Sequence, residues 1–239
     1  MQKNINLYKR VPSKHIIMSR PKKRFVIDIT YLPIELTKNN KNIYLLNILD
    51  HFSKYLISFK IANKKGKTIS EKLDICFKKF GCPEQIGADN GREFSNKHVK
   101  ILLNKYNIKL IKGKPYNQHS QGTVERVHKT IKTMLICKYL ENKQKFNLEN
   151  SLKLVVDVYN DTKHRTTLYK PNEIFNCWYE EILEKVKKNT LNTSKNYTSD
   201  IKIFNKDDSI LLFNNFESNF IKKRKDFILE KSKIKKNSY

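Results

Sequence analysis

Most of what would tie this chain to a membrane, a zinc module or an oxidising compartment is missing from it. None of its 239 residues lies in a stretch approaching the ~18 apolar residues of a membrane span. The start, MQKNINLYKRVPSKHIIMSRPKK, carries charges throughout and has no apolar core of the ~7–15 residues that a secretory signal needs, so it reads as a polar arm. The four cysteines, Cys76, Cys82, Cys137 and Cys177, form no CxxC pair and have no histidine pair beside them. Neither a zinc module nor a disulfide framework is indicated, and a reducing compartment is expected. The six histidines are scattered, and solitary ones such as His15 and His98 are assigned to no metal. Acidic side chains are scarce as well, 23 against 49 lysines and arginines, for a net charge of +26. That imbalance points to a polyanionic partner, most simply nucleic acid, whose phosphates release counterions on binding. Part of it is a lysine- and asparagine-rich bias seen even in bland places such as Lys38 to Asn42, KNNKN.

Against this background the few acids stand out by position. The run RFVIDITYL from Arg24 has the alternation and β-branching of a strand, with Asp28 inside it. A buried carboxylate needs a cation, a metal or a hydrogen-bond network beside it; the alternative is a solvent-facing edge position. Two more strands follow in IYLLNILDHFSKYLISFKI, joined near Asp50 to Lys54, completing an antiparallel meander. Helical spacing of Ile69, Leu73, Phe77 and Phe80 predicts a helix over 66–80, stopped by Gly81. A short strand over 84–87 then delivers ADNGREF, with Asp89 where the strand ends and a turn at Gly91 begins. A helix over 97–106 and a strand over 108–111 lead to the loop 113–120, giving the order βββαβαβα.

The stretch Tyr116 to Lys132, YNQHSQGTVERVHKTIK, is read as a loop running into an amphipathic helix. At ~100° per residue, Val124, Val127, Ile131 and Leu135 form an apolar stripe. Gln121, Glu125, His128, Lys129 and Lys132 share a polar face, which is either a solvated salt-bridged surface or one that opens towards a ligand. Asp28, Asp89 and Glu125 can converge, because neighbouring strands lie only about 5 Å apart. Three carboxylates together repel unless cations join them, and hard divalent ions, Mg²⁺ or Mn²⁺, are the expected partners, with nucleic-acid phosphate as a further ligand.

These residues carry a resemblance to the catalytic core of retroviral and retrotransposon integrases, within the acidic-triad polynucleotidyl transferases. Thirty-five residues separate Asp89 from Glu125, the spacing that marks that family. FGCPEQIGADNGREF resembles its stretch around the second aspartate, LDHFSKYLISFKI its second and third strands, and YNDTKHRTTLYKPNEIF the segment that closes the core. The resemblance implies an RNase H-like α/β fold, a mixed five-stranded sheet flanked by helices. By it, Asp28, Asp89 and Glu125 are the catalytic and metal-binding acids, holding two Mg²⁺ or Mn²⁺ ions. The reaction implied is the trimming of a mobile element's DNA ends and their transfer into target DNA. Lys129 and Lys132 match lysines that grip DNA, and Tyr116, Asn117 and Gln121 match loop residues beside it. A homo-oligomer without membrane association is implied, nuclear in a eukaryotic host and otherwise intracellular with DNA.

Departures are visible too. Phe25 stands where the family often has tryptophan, Gln118 and His119 replace its usual proline and glutamine, and the zinc-binding amino-terminal module is not seen. The expected organisation is an arm over 1–20, the core over 21–180 and a basic C-terminal region over 181–239. In that last region 201–213 faintly resembles the start of a small barrel, the alternative being a helical or disordered tail. Two other readings remain: a former integrase kept as a DNA-binding or assembly protein, and a ribonuclease H acting on hybrids.

Overall fold

Strand β1, Arg24–Tyr31, runs through the middle of a five-stranded sheet. In the computed structural model the described residues are 18–37, 43–112 and 122–196, with short strands at 210–211 and 231–232. β1 pairs antiparallel with β2, Tyr44–Asp50, which pairs antiparallel with β3, Leu56–Ile61. On its other side β1 pairs parallel with β4, Gln85–Ala88, and β4 with β5, Lys109–Lys112, giving the order β3-β2-β1-β4-β5. This is the mixed sheet expected from the sequence, with the antiparallel meander in place. Asp28 therefore sits on a central strand, not at an edge.

Centrality explains why Phe25, Val26 and Ile27 are buried in succession: a strand covered on both faces needs apolar side chains at consecutive positions. Phe25 and Ile27 face helices α1, Gly66–Phe80, and α2, Lys97–Lys105, in one apolar layer with Ile69, Leu73, Phe77 and Val99. Gly81 stops α1 in a left-handed conformation, φ 91°, which a side chain would resist. Asn96 caps α2 by accepting a hydrogen bond from Val99 N at 3.1 Å.

Val26 points the other way, into a second layer with Leu45, Leu49 and Leu56 beneath α3, Gly122–Glu141, and α4, Leu148–Asp161. The stripe Val124, Val127, Ile131 and Leu135 is buried there, as its spacing predicts. Each such side chain contributes about 1.5–3 kcal/mol relative to exposure, and Ile131→Asp would break the packing of α3. His128, which the sequence places on the polar face, is buried with the stripe. Asn160, near the end of α4, is 2 % exposed and clamps the start of β3, accepting from Leu56 N at 2.8 Å and donating to Leu56 O at 2.9 Å. This bond fixes the loop before β3 against the segment after α4.

Beyond α4 the chain makes the short helix α5, Pro171–Phe175, and α6, Glu180–Asn196. Leu183 and Val186 of α6 pack with Ile174, Phe52 and Met18. The chain divides into two compact units, residues 1–197 and 198–239. Within the second, β6, Ile210–Leu211, pairs antiparallel with β7, Lys231–Ser232; the remainder of the expected barrel lies outside the described residues. Among the described residues no helix is long and apolar enough to cross a membrane.

Candidate active site

The register of the sheet decides where the acids meet. Arg24, Phe25 and Val26 pair with Gln85, Ile86 and Gly87, and carrying that parallel register two residues on sets Asp89 level with Asp28. Side-chain alternation puts Asp28 on the face of Val26, the one covered by α3. Asp89 directly follows β4, and its Oδ1 accepts a hydrogen bond from Gly91 N at 2.9 Å, closing the turn. Gly91 is glycine for want of space. A Cβ there would lie 2.5 Å from Glu93 Oε2 and 2.8 Å from Asp89 Oδ1, so those two carboxylates crowd one point.

Helix α3 brings up the other groups at helical spacing. Glu125 is exposed in its first turn. One turn on, buried His128 places Nδ1 3.6 Å from Asp28 Oδ2. Lys132, a turn further, lies within Coulombic reach of Asp28. Burial pushes the Asp28 carboxyl up to about 6; the hydrogen bond it accepts from Ile29 N at 2.7 Å pulls the other way, and the charges of Asp89, Glu125 and Glu93 push it up further. Burial and the charge of Lys132 bring His128 down to about 4. At neutral pH the imidazole is therefore uncharged beside an ionised Asp28. Their 3.6 Å contact is no ion pair and is too long for a good hydrogen bond. His128 Nε2 is buried without a hydrogen-bond partner among the described residues.

Asp89 and Glu125, which the sequence marks together with Asp28, thus both lie within electrostatic reach of Asp28. Lys132 is half-buried beside Asp28 and Lys129 is exposed, while Tyr116, Asn117 and Gln121 lie outside the described residues. Glu93 was not singled out, although an acid in the same turn as Asp89 was readable in DNGREF. Among the described residues no group of three histidines, cysteines or acids stands close enough to hold a metal ion. The donor set still fits a hard divalent cation: carboxylate oxygens only, with a mutual repulsion at Asp28 that such an ion relieves.

Residues 18–118 match the integrase core domain family. A transposon-derived protein of Caenorhabditis elegans is 34 % identical over 139 residues, 57 % of this chain and 48 % of that protein. The Gag-Pro-Pol polyprotein of Mason-Pfizer monkey virus is 35 % identical over 38 % of this chain and 5 % of the polyprotein. The Pol polyprotein of transposon gypsy from Drosophila melanogaster is 26 % identical over 70 % of this chain and 16 % of its own length. The matched region thus spans about half of the worm protein and a small part of the polyproteins. Among solved structures, a chain of the simian T-cell lymphotropic virus intasome in complex with PP2A regulatory subunit B56 gamma superposes with a TM-score of 0.63 at 21 % identity, covering 68 % of this chain and 58 % of that one. The HTLV-2 integrase catalytic core domain in complex with magnesium gives 0.55 at 21 % identity, covering 66 % of this chain and 98 % of that one. Both share the fold described above.

Proposed function

We propose that this chain, whose residues 18–118 match the integrase core domain family, is a polynucleotidyl transferase acting on DNA, trimming a mobile element's ends and joining them to target DNA. The observation that carries this reading is the site around Asp28: Asp89 level with it across the parallel pair, and Glu125 on the covering helix, each within electrostatic reach of Asp28. Asp28, Asp89 and Glu125 would hold two Mg²⁺ or Mn²⁺ ions, which when bound supply Lewis acidity to activate a water or 3′-hydroxyl and to steady the leaving oxygen. Magnesium accompanies the HTLV-2 core, which supports the choice of cation.

The chain's own residues have separate tasks. β1 and β4 fix Asp28 and Asp89 through backbone ladders, so their carboxylates are oriented without cost at the moment of reaction. Neutral His128 and half-buried Lys132 close the α3 side of Asp28, excluding water and balancing its charge. Lys129, exposed one turn beyond Glu125, is free to meet a phosphate, and Lys132 offers a second cation on the same side. Tyr116, Asn117 and Gln121 are assigned to the same DNA path. Intasome and oligomeric relatives support a homo-oligomer as the working form.

A second reading, a former integrase that binds DNA without catalysis, is favoured by one observation: no three-ligand metal group stands assembled among the described residues. The deciding experiment is cleavage and joining of a labelled duplex with Mg²⁺ or Mn²⁺ by the full chain, alongside Asp28→Asn, Asp89→Asn and Glu125→Gln. Metal-dependent product from the wild type alone is expected. DNA binding without product, or full activity in the variants, would replace the catalytic reading with the binding one.

A further inference from the structure

On the same face of the sheet, at the other end of β1, positive charge is gathered where little of it is paired. Arg24 lies on this face and is only 7 % exposed, and its Nε has no hydrogen-bond partner among the described residues. The loop between β2 and β3 contributes Lys54, 6 % exposed, whose Nζ donates to His51 O at 2.6 Å. Opposite stands the segment after α4, held there by the Asn160–Leu56 clamp, and it contributes half-buried His164. Its Nδ1 accepts from Thr166 N at 3.2 Å, so the proton of the neutral ring sits on Nε2, which is left as a donor. Arg126 of α3 is exposed, with Nε tied to Gly122 O at 3.0 Å, and its charge reaches both Lys54 and His164.

One carboxylate, Asp50, faces Lys54, and it is already engaged. Its oxygens accept from Lys22 N at 3.0 Å, Ser53 N at 2.8 Å and Ser53 Oγ at 2.6 Å. Arg24, Lys54 and Arg126 therefore outnumber the one acid set against Lys54. Lys54 and His164 feel one another and Arg126: burial brings Lys54 down to about 8, with Arg126 lowering it further against the pull of Asp50, and burial, Lys54 and Arg126 bring His164 to about 4. Desolvated like charges cost free energy until an anion joins them, and a phosphate accepts from ammonium, guanidinium and imidazole N–H alike.

We propose that Lys54, His164 and Arg126 form an anion pocket that takes a backbone phosphate of DNA, with Lys54 at its base and Arg126 at its mouth. This rests on the reading above that the core handles DNA. The pocket is distinct from the carboxylates: Arg126 follows Glu125 in sequence but is turned ~100° from it around α3. The DNA strand that reaches Asp28 and Asp89 is thereby gripped at a second point on the same helix, by side chains that carry no base information.

The test is binding of a fluorescent duplex to the full chain by anisotropy across a salt series, with melting temperatures recorded. Arg126→Gln should lower the slope of log K against log[salt] by about 0.9, one phosphate contact. Lys54→Met should do the same. His164→Phe should weaken binding several-fold and leave the slope unchanged, because the neutral ring displaces no counterion. Lys105→Ala, on the opposite side of the sheet beside Asp74, is the control. Should Lys54→Met fail to fold, Arg126→Gln and His164→Phe decide. DNA binding with metal-dependent joining but an unchanged slope in Arg126→Gln overturns this proposal alone, whereas no DNA binding by the wild type overturns the function above as well. Inorganic phosphate that raises the wild-type melting temperature, in a protein whose DNA affinity ignores these substitutions, would make the pocket a free-anion site and also overturn it.

Discussion

Two ends of one sheet face carry opposite charge problems. At the carboxyl end of β1, Asp28 is surrounded by Asp89, Glu125 and Glu93, and its carboxyl is pushed up. Beyond the β2 end, Lys54 is buried beside Arg126, and its ammonium is pushed down. Each shift runs against the charged form, because burial removes water and the neighbours repel. The acidic end wants cations and the basic pocket wants an anion. On the proposed function, a DNA strand with divalent ions would supply both, and the cost of this face to folding would be offset by binding.

The largest expected effect is at the acidic end. Asp89→Asn keeps shape and hydrogen bonding but deletes a charge, so metal-dependent strand joining should fall by at least about a thousandfold, several kcal/mol of transition-state stabilisation. Its melting temperature should hold or rise, since one repulsion on Asp28 is gone. Activity and stability falling together would mean that Asp89 is structural.

The pH dependence of stability should have opposite signs at the two ends. An aspartate whose native carboxyl titrates near 6 instead of 3.8 binds its proton more tightly when folded, so stability is lost as pH rises through that window. Asp28→Asn should therefore gain on the order of 1–3 kcal/mol over wild type by pH 7 and show no such gain at pH 3. Lys54, near 8 when folded against 10.5 otherwise, releases its proton more readily in the native state, so the wild type should gain stability between pH 8 and 10.5. Lys54→Met should lack that rise. Urea midpoints across both windows check the pair of signs.

Smaller effects concern DNA and Glu93. Lys129→Ala with Lys132→Ala should reduce the salt slope by up to about two contacts, near 0.9 each. Lys132 is half-buried against Asp28, so a reduction confined to Lys129 would assign Lys132 to the acid instead of the DNA. Glu93→Gln should lower the Asp28 titration slightly, Glu93 being the weakest of its three acidic neighbours.

Legibility in the sequence followed the range of the physics. The meander, α1 and its Gly81 stop, and the α3 stripe depend on periodicity and local backbone preference, and they stand where the pattern placed them. Asp28, Asp89 and Glu125 are marked in the sequence by their spacing and strand positions, and the parallel register of β1 with β4 brings the first two level. His128 is buried although helical spacing sets it on the polar face, because angular position alone cannot say how far α3 sinks between β1 and α4. Lys54 and His164 are farther apart in sequence than any local rule spans; the packing of α4 against β3 and the Asn160 clamp bring their segments together. Such a basic pocket leaves no periodic trace.

The central claim, that the acids around Asp28 are built to take a divalent cation, is tested most directly by following the Asp28 carboxyl with ¹³C NMR through a pH titration with and without Mg²⁺. Without metal the midpoint should lie near 6. With Mg²⁺ it should fall by about a unit or more, because an ion shared with Asp89 and Glu125 favours the ionised form. That fall should be absent in Asp89→Asn. A midpoint near 6 that ignores Mg²⁺ in the wild type would contradict the account.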